Sequence, residues 1–213
     1  SPESVRAEIV GFQSSDGFSL AGTWFTQSEL KGSRPVLILI HSFDQNQIEW
    51  ITFIPELVQA TGSAVLTFDL RGHGLSVIRS GEIVQVNDLT NEDFNAMPLD
   101  VEAAISWVKT RPEADTNRIG VIGADIGANI AYVSAGTYPD IKVSVSISPE
   151  FRVSSELGFL VGNGIPNFQP RDILYLAAFG DGYAYTSAQD MSRLTSGETR
   201  VVGLQGLGDG LAL

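Results

Sequence analysis

The chain has 213 residues, with 13 Lys plus Arg against 25 Asp plus Glu, a formal net charge of −12 and a pI near 4.4. A surface of that charge repels phosphate backbones and anionic lipids, which argues against nucleic-acid or membrane partners. Hydrophobic residues at 43% and charged residues at 18% exclude a disordered or coiled-coil chain, the absence of cysteine excludes disulfides and thiolate chemistry, and no apolar run reaches the about 20 residues of a membrane span. The expectation is a soluble, acidic, single domain over residues 1–213, with Ser1-Pro2-Glu3-Ser4 fitting the start of a trimmed mature chain and no compartment assigned.

In chain order, Val5–Phe12 and Phe18–Phe25 flank the turn residues Ser14-Ser15-Asp16-Gly17 and predict an antiparallel hairpin. Pro35–Ile40 is a continuous apolar run ending at His41, the pattern of a strand buried on both faces. Trp50, Phe53, Ile54, Leu57 and Val58 recur at helical spacing before the stop at Thr61-Gly62. Ala64–Phe68 is a second buried strand, and Val101, Ala104, Ile105 and Val108 mark a helix introduced by Pro98 and closed before Pro112. Ile119–Ile122 is a third strand, followed by a helix over Gly127–Gly136. Strands at Val143–Ile147 and Ile173–Ala178, a helix at Thr186–Leu194 and a strand at Thr199–Leu204 complete the order. This alternation predicts an α/β fold with a mainly parallel sheet and helices on both faces. Residues 150–170, rich in Gly and Pro, predict a short lid or crossover. In open sheets of this class the ligand site lies beyond the carboxyl ends of the strands.

Gly123-Ala124-Asp125-Ile126-Gly127 joins a buried strand to a helix, with glycine two residues before and two after Asp125. A sharp strand-to-helix turn needs small residues there, because strand and helix approach closely while the central side chain points outward. Asp125 is therefore expected at positive φ, which Asp tolerates better than most residues. Alone, this pattern fits any glycine-flanked turn of a doubly wound protein.

Its neighbours add to it. Leu39-Ile40-His41, the run Phe68-Asp69-Leu70-Arg71-Gly72-His73-Gly74-Leu75-Ser76, and the Asp100–Trp107 helix before Arg118–Gly123 together resemble the α/β-hydrolase superfamily, most closely its small dienelactone-hydrolase-like esterases. The resemblance implies a Ser-acid-His triad in that chain order. The acid position falls on Asp181, in Gly180-Asp181-Gly182-Tyr183. The nucleophile position holds Asp125, and the histidine position, in Gly206-Leu207-Gly208-Asp209-Gly210, holds Asp209. The resemblance further places the oxyanion hole at the backbone N–H groups of Ile126 and Ser42, with His41, Phe43 and Tyr183 around the pocket.

A serine esterase needs a hydroxyl nucleophile and an imidazole that titrates near neutrality. A carboxylate at position 209 is too weak a base for that role. Only His41 and His73 are present, and both read as structural. The reading with fewest assumptions is therefore a hydrolase-like scaffold without serine-hydrolase activity, used for small-molecule or protein binding or kept only as structure. A second takes Asp125 as a carboxylate nucleophile, as in the dehalogenases and epoxide hydrolases that share this fold. A third follows from Coulomb repulsion: three converging carboxylates must share protons, admit water or recruit Ca²⁺ or Mg²⁺. No metal-ligand motif supports a dedicated cation site, and no cofactor is implied. Trp50, Trp107 and Phe53 read as core, and Asp69 and Arg71 as local pins of the glycine-rich turn. With Leu213 following so soon after Asp209, the family's final helix is not expected, which predicts an apolar patch over the last strand. A second copy in a homo-oligomer or a partner chain would cover it, with an inward shift of neighbouring helices as the alternative.

Overall fold

The computed structural model describes residues 5–28, 32–151, 168–206, 208 and 210–212. The opening hairpin forms from β1 (Val5–Gln13) and β2 (Phe18–Gln27), paired antiparallel throughout. The predicted buried runs become β3 (Arg34–Ile40), β4 (Ala64–Phe68), β7 (Ala114–Ala124), β8 (Ile141–Ile147), β9 (Asp172–Ala178) and β10 (Thr199–Leu204). These six are mutually parallel where they pair. A two-residue ribbon, β5 (Ile78–Arg79) and β6 (Glu82–Ile83), extends the β2 side. The order across the sheet is β10-β9-β8-β7-β3-β4-β2-β5-β6, with β1 on β2.

The helices are α1 (Ile54–Thr61), α2 (Asn91–Asn95), α3 (Pro98–Val108), α4 (Ile126–Thr137) and α5 (Gly182–Leu194). One face of the sheet packs Val36, Ile38, Leu66 and Val121 against Val101 and Ile105 of α3 and Ile130 of α4. On the same side α5 closes Ala188 and Met191 onto Ile173 and Tyr175. The other face packs Leu39, Val65 and Ile147 against Trp50 and against Ile54 and Val58 of α1. Helices thus cover both faces, as strands buried on two sides require. Phe53 departs from the expected core: it precedes α1 and is half-exposed. On the α1 side, half-exposed Val143 and its neighbours Val145 and Leu174 line a shallow groove of about 530 Å³, rimmed by Asp172, Glu198 and Arg200.

One buried ion network ties distant segments together. Arg71 and Asp100 have fully buried side chains, and the guanidinium donates from Nε and Nη2 to Asp100 at 2.7–3.2 Å. Its Nη1 and Nη2 also reach Asp16 in the hairpin turn at 2.6 and 3.1 Å, and the Phe18 ring lies 4.8 Å from Cζ. Arg71 is therefore not the local pin that its place in a glycine-rich turn suggests. Asp69 is closer to that role, accepting from Leu75 N and, across to another loop, from Gln47 N, both at 2.8 Å. Removing one partner of a buried pair strands the other charge, at a cost of roughly 3–5 kcal/mol. Asp100→Asn is expected to lower unfolding stability by about that amount, read as a fall in the urea midpoint with an unchanged m-value.

Candidate functional site

Three loops meet at the carboxyl edge of the parallel strands. The first leaves β7. Asp125 has φ 54° and ψ −118°, and its N–H donates to Ile147 O at 2.9 Å. A Cβ on Gly123 would collide with the Gly127 carbonyl, and one on Gly127 would overlap the Ile40 and His41 carbonyls. Only hydrogen fits at either position, so the chain turns between them and turns Asp125 outward. Backbone strain gathers along this edge, since Asp44 after β3 and Ser148 after β8 also have positive φ, at 55° and 51°.

The second loop leaves β3, and here the structure corrects the expected assignments. Ser42 N–H does not face Asp125; it donates to Glu49 Oε2 at 2.8 Å, and Ser42 Oγ donates to Glu49 Oε1 at 2.7 Å. A 3-10 turn at Gln47–Trp50 delivers that carboxylate, and a charged acceptor holds both Ser42 donors. The N–H that reaches the elbow is the next one along: Phe43 N donates to Asp125 Oδ2 at 2.9 Å. Ile126 N–H is the first of α4 and has no intrahelical acceptor by construction. Glu49 and the Phe43 N–H carry no sequence signal, because neither lies in a motif or on a periodic face.

His41 is not a pocket residue. Its ring is fully buried, with Nδ1 2.7 Å from Ser42 O and Nε2 accepting from Leu70 N at 3.0 Å. Those partners make Nδ1 the protonated nitrogen and leave the ring neutral. Burial, reinforced by neighbouring His73, pushes its pKa down from 6.5 to about 4 against the opposing Ser42 carbonyl. His73 is also buried, its Nδ1 2.9 Å from Arg71 O, and burial lowers its pKa too. The two rings stack edge-on at 5.1 Å, with Phe43 5.9 Å from His73.

The third loop follows β9. Asp181 accepts from Ala184 N at 3.0 Å and caps α5, while Tyr183 is half-exposed on the first turn of that helix. Gly180 N donates to Gly206 O at 3.0 Å, so the loop after β10 starts beside it. That loop ends with Gly210 against Ser42, where a Cβ would lie 3.1 Å from Oγ. Asp209 lies outside the described residues, as does residues 152–167 of the expected lid. Before that segment, buried Asn129 of α4 exchanges two hydrogen bonds with the Glu150 backbone, at 2.8 and 3.0 Å. Among the described residues no three metal-ligating side chains gather. A cavity of about 270 Å³ does form over the elbow, lined by Ser42, Phe43, Gln45, Glu49, Asp125, Gly210 and Leu211. Phe43 and Leu211 supply apolar walls, and two carboxylates make the cavity electronegative.

Comparison with known proteins places this geometry. A model of the alpha/beta hydrolase family matches residues 37–209, most of the chain. The chain belongs to the alpha/beta hydrolase family. It is 28% identical over 145 residues to a thiohydrolase from Arthrinium phaeospermum, covering 67% of this chain and 43% of that protein. It is 30% identical over 116 residues to a fluoroacetate dehalogenase from a Burkholderia species, covering 54% of this chain and 34% of that protein. The chain thus spans less than half the length of these relatives. Among solved structures, an esterase from Pyrococcus furiosus superposes with a TM-score of 0.72 at 20% identity, over 95% of this chain and 83% of that one. Dienelactone hydrolases superpose comparably. These structural likenesses show that the chain shares the fold of those proteins. No helix of the described residues is long and apolar enough to cross a membrane.

The buried imidazole sets a pH dependence. His41 has its folded pKa depressed from 6.5 to about 4, so its contribution to stability is complete above pH 6.5 and is lost as pH falls toward 4. Between pH 7 and pH 5 this accounts for about 2 kcal/mol. Urea unfolding at the two pH values is expected to show that loss in the parent chain and a flatter response, smaller by about that amount, in His41→Asn.

Proposed function

We propose that this alpha/beta hydrolase family member performs no serine-hydrolase chemistry and uses the cavity over its elbow to hold a small molecule. The observation that carries this reading is the side chain at the elbow. Asp125 presents a carboxylate with Oδ2 on the Phe43 N–H, so the donor that would otherwise face a developing oxyanion already faces a negative charge. The chain's two histidines support it: His41 has both ring nitrogens engaged, and His73 is buried behind Phe43. Neither can take a proton from a nucleophile in the cavity. Lining carboxylates Glu49 and Asp125 disfavour anionic ligands, so the occupant is a small neutral or cationic molecule with an apolar part for Phe43 and Leu211.

A second reading is favoured by the dehalogenase relative. With Oδ2 fixed by Phe43 N–H, the remaining oxygen of Asp125 is oriented as a nucleophile. It would attack an alkyl carbon, forming an ester C–O bond as a carbon–halogen bond breaks and halide leaves, or as an epoxide C–O bond breaks and the alkoxide, still attached to the adjacent carbon, takes a proton from solvent water. Electrostatics of the cavity select neutral electrophiles over haloacids. Hydrolysis of that ester requires an activated water, for which the described residues offer no base, so the reaction stops after one event.

Two measurements separate these readings. Activated acyl esters at neutral pH are expected to show no turnover above buffer, with turnover appearing in an Asp125→Ser, Asp209→His double variant. Steady ester turnover by the parent chain that is lost in Asp125→Gly would overturn the first reading. Intact mass after exposure to a small haloalkane or epoxide tests the second: a single adduct absent from Asp125→Gly supports it, and an unmodified mass removes it.

A further inference from the structure

At the opposite, amino-terminal edge of the sheet, Arg171 precedes β9. That places it about 20 Å of strand away from the elbow. Arg171 is 6% exposed. Two rings flank its guanidinium, Tyr132 at 4.2 Å and Phe168 at 4.9 Å from Cζ, and they meet each other edge-on with centroids 6.0 Å apart. Hydrogen bonds form at the edges of the guanidinium plane. Nη1 uses one, donating to Gln169 O at 3.1 Å. Nε and Nη2 are both buried and have no hydrogen-bond acceptor among the described residues. Its sequence neighbour Asp172 is turned away, accepting from Glu198 N at 3.0 Å.

Those two nitrogens are not an arbitrary pair. The Nε–H and Nη2–H bonds of arginine point in parallel, forming the side-on fork that takes two oxygens of one carboxylate or phosphate. The same molecule shows the fork in use: Arg71 presents Nε and Nη2 to Asp100, at 3.1 and 2.7 Å to one oxygen, with Nε also 3.2 Å from the other. A buried guanidinium with no counter-charge among the described residues is costly to hold in place. With a net charge of −12 the protein attracts no anions through its general field, so a specific fork would have to do so.

We propose that Arg171 is the anchor of a small-oxyanion site, binding a carboxylate or phosphate group bidentately through Nε and Nη2. Phe168, the partly exposed ring of the pair, forms the outer wall. Its segment is held to the end of α4 by Gln169 N to Gly136 O and Gln169 Nε2 to Ala135 O, at 2.9 and 3.0 Å.

Calorimetric titration of the whole chain with sodium formate, and separately with inorganic phosphate, at constant ionic strength tests this. The expected result is saturable one-site binding of at least one of them, weakened about tenfold in Arg171→Lys, which keeps the charge and loses the fork, and abolished in Arg171→Met. Thermal unfolding should follow: the anion raises Tm in the parent chain alone, and without it Arg171→Met melts no lower than the parent. No saturable binding of either anion to the parent chain, or equal binding by parent and Arg171→Met, would overturn the proposal. Should Arg171→Met fail to fold, unchanged affinity in Arg171→Lys is sufficient to reject it.

Discussion

Everything at the site follows from one close approach. The β7–α4 junction brings the Gly127 carbonyl so near Gly123, and Gly127 itself so near the backbone of residues 40 and 41, that no side chain fits at either position. The chain must reverse within three residues, and the central one takes φ 54°. A residue held this way costs conformational energy that only a well-packed surround can sustain. That surround is present: Ile126, Ile130 and Ala131 of α4 are buried against the central strands. The elbow is thus a rigid pedestal, and whatever side chain occupies position 125 is presented to the cavity in a fixed direction.

Polar groups then hold the neighbouring loops in register with the pedestal. Arg71 links the hairpin turn, the glycine-rich loop and α3 through Asp16 and Asp100. His41 joins the β3 and β4 exits by bonding Ser42 O and Leu70 N with one neutral ring, and Glu49 clamps Ser42 from beneath. With Ser42 clamped, the backbone of the next residue is free to turn its N–H toward Asp125. Fold and site are connected by these bonds, which fix the loops around the elbow through Arg71, His41 and Glu49.

Much of this is legible in the sequence, for identifiable reasons. Strands buried on both faces appear as unbroken apolar runs, so Pro35–Ile40 and Ala64–Phe68 declare themselves, and the paired glycines around Asp125 declare the turn. Asp-Leu-Arg-Gly-His-Gly marks a loop but not its partners. Arg71 reaches 29 residues to Asp100 and 55 to Asp16, separations that no local pattern encodes. The shift from Ser42 to Phe43 is equally hidden, because it depends on where a carboxylate from a 3-10 turn happens to reach. β5 and β6 escape notice for being two residues each. Asp209 and most of the expected lid lie outside the described residues, so the carboxylate cluster anticipated from the sequence is not assembled by the groups that are described.

The claim on which the functional reading turns is that the Asp125 carboxylate holds the Phe43 N–H. Amide hydrogen exchange read by NMR measures that bond in solution. Asp125→Gly removes the carboxylate while accepting the positive φ without strain. The prediction is that Phe43 N–H is protected in the parent chain and exchanges about tenfold or more faster in the variant, since a charge-assisted bond is lost. Leu70 N–H, held by His41, should be unchanged in both. Equal Phe43 exchange rates in parent and variant would contradict the site as described here.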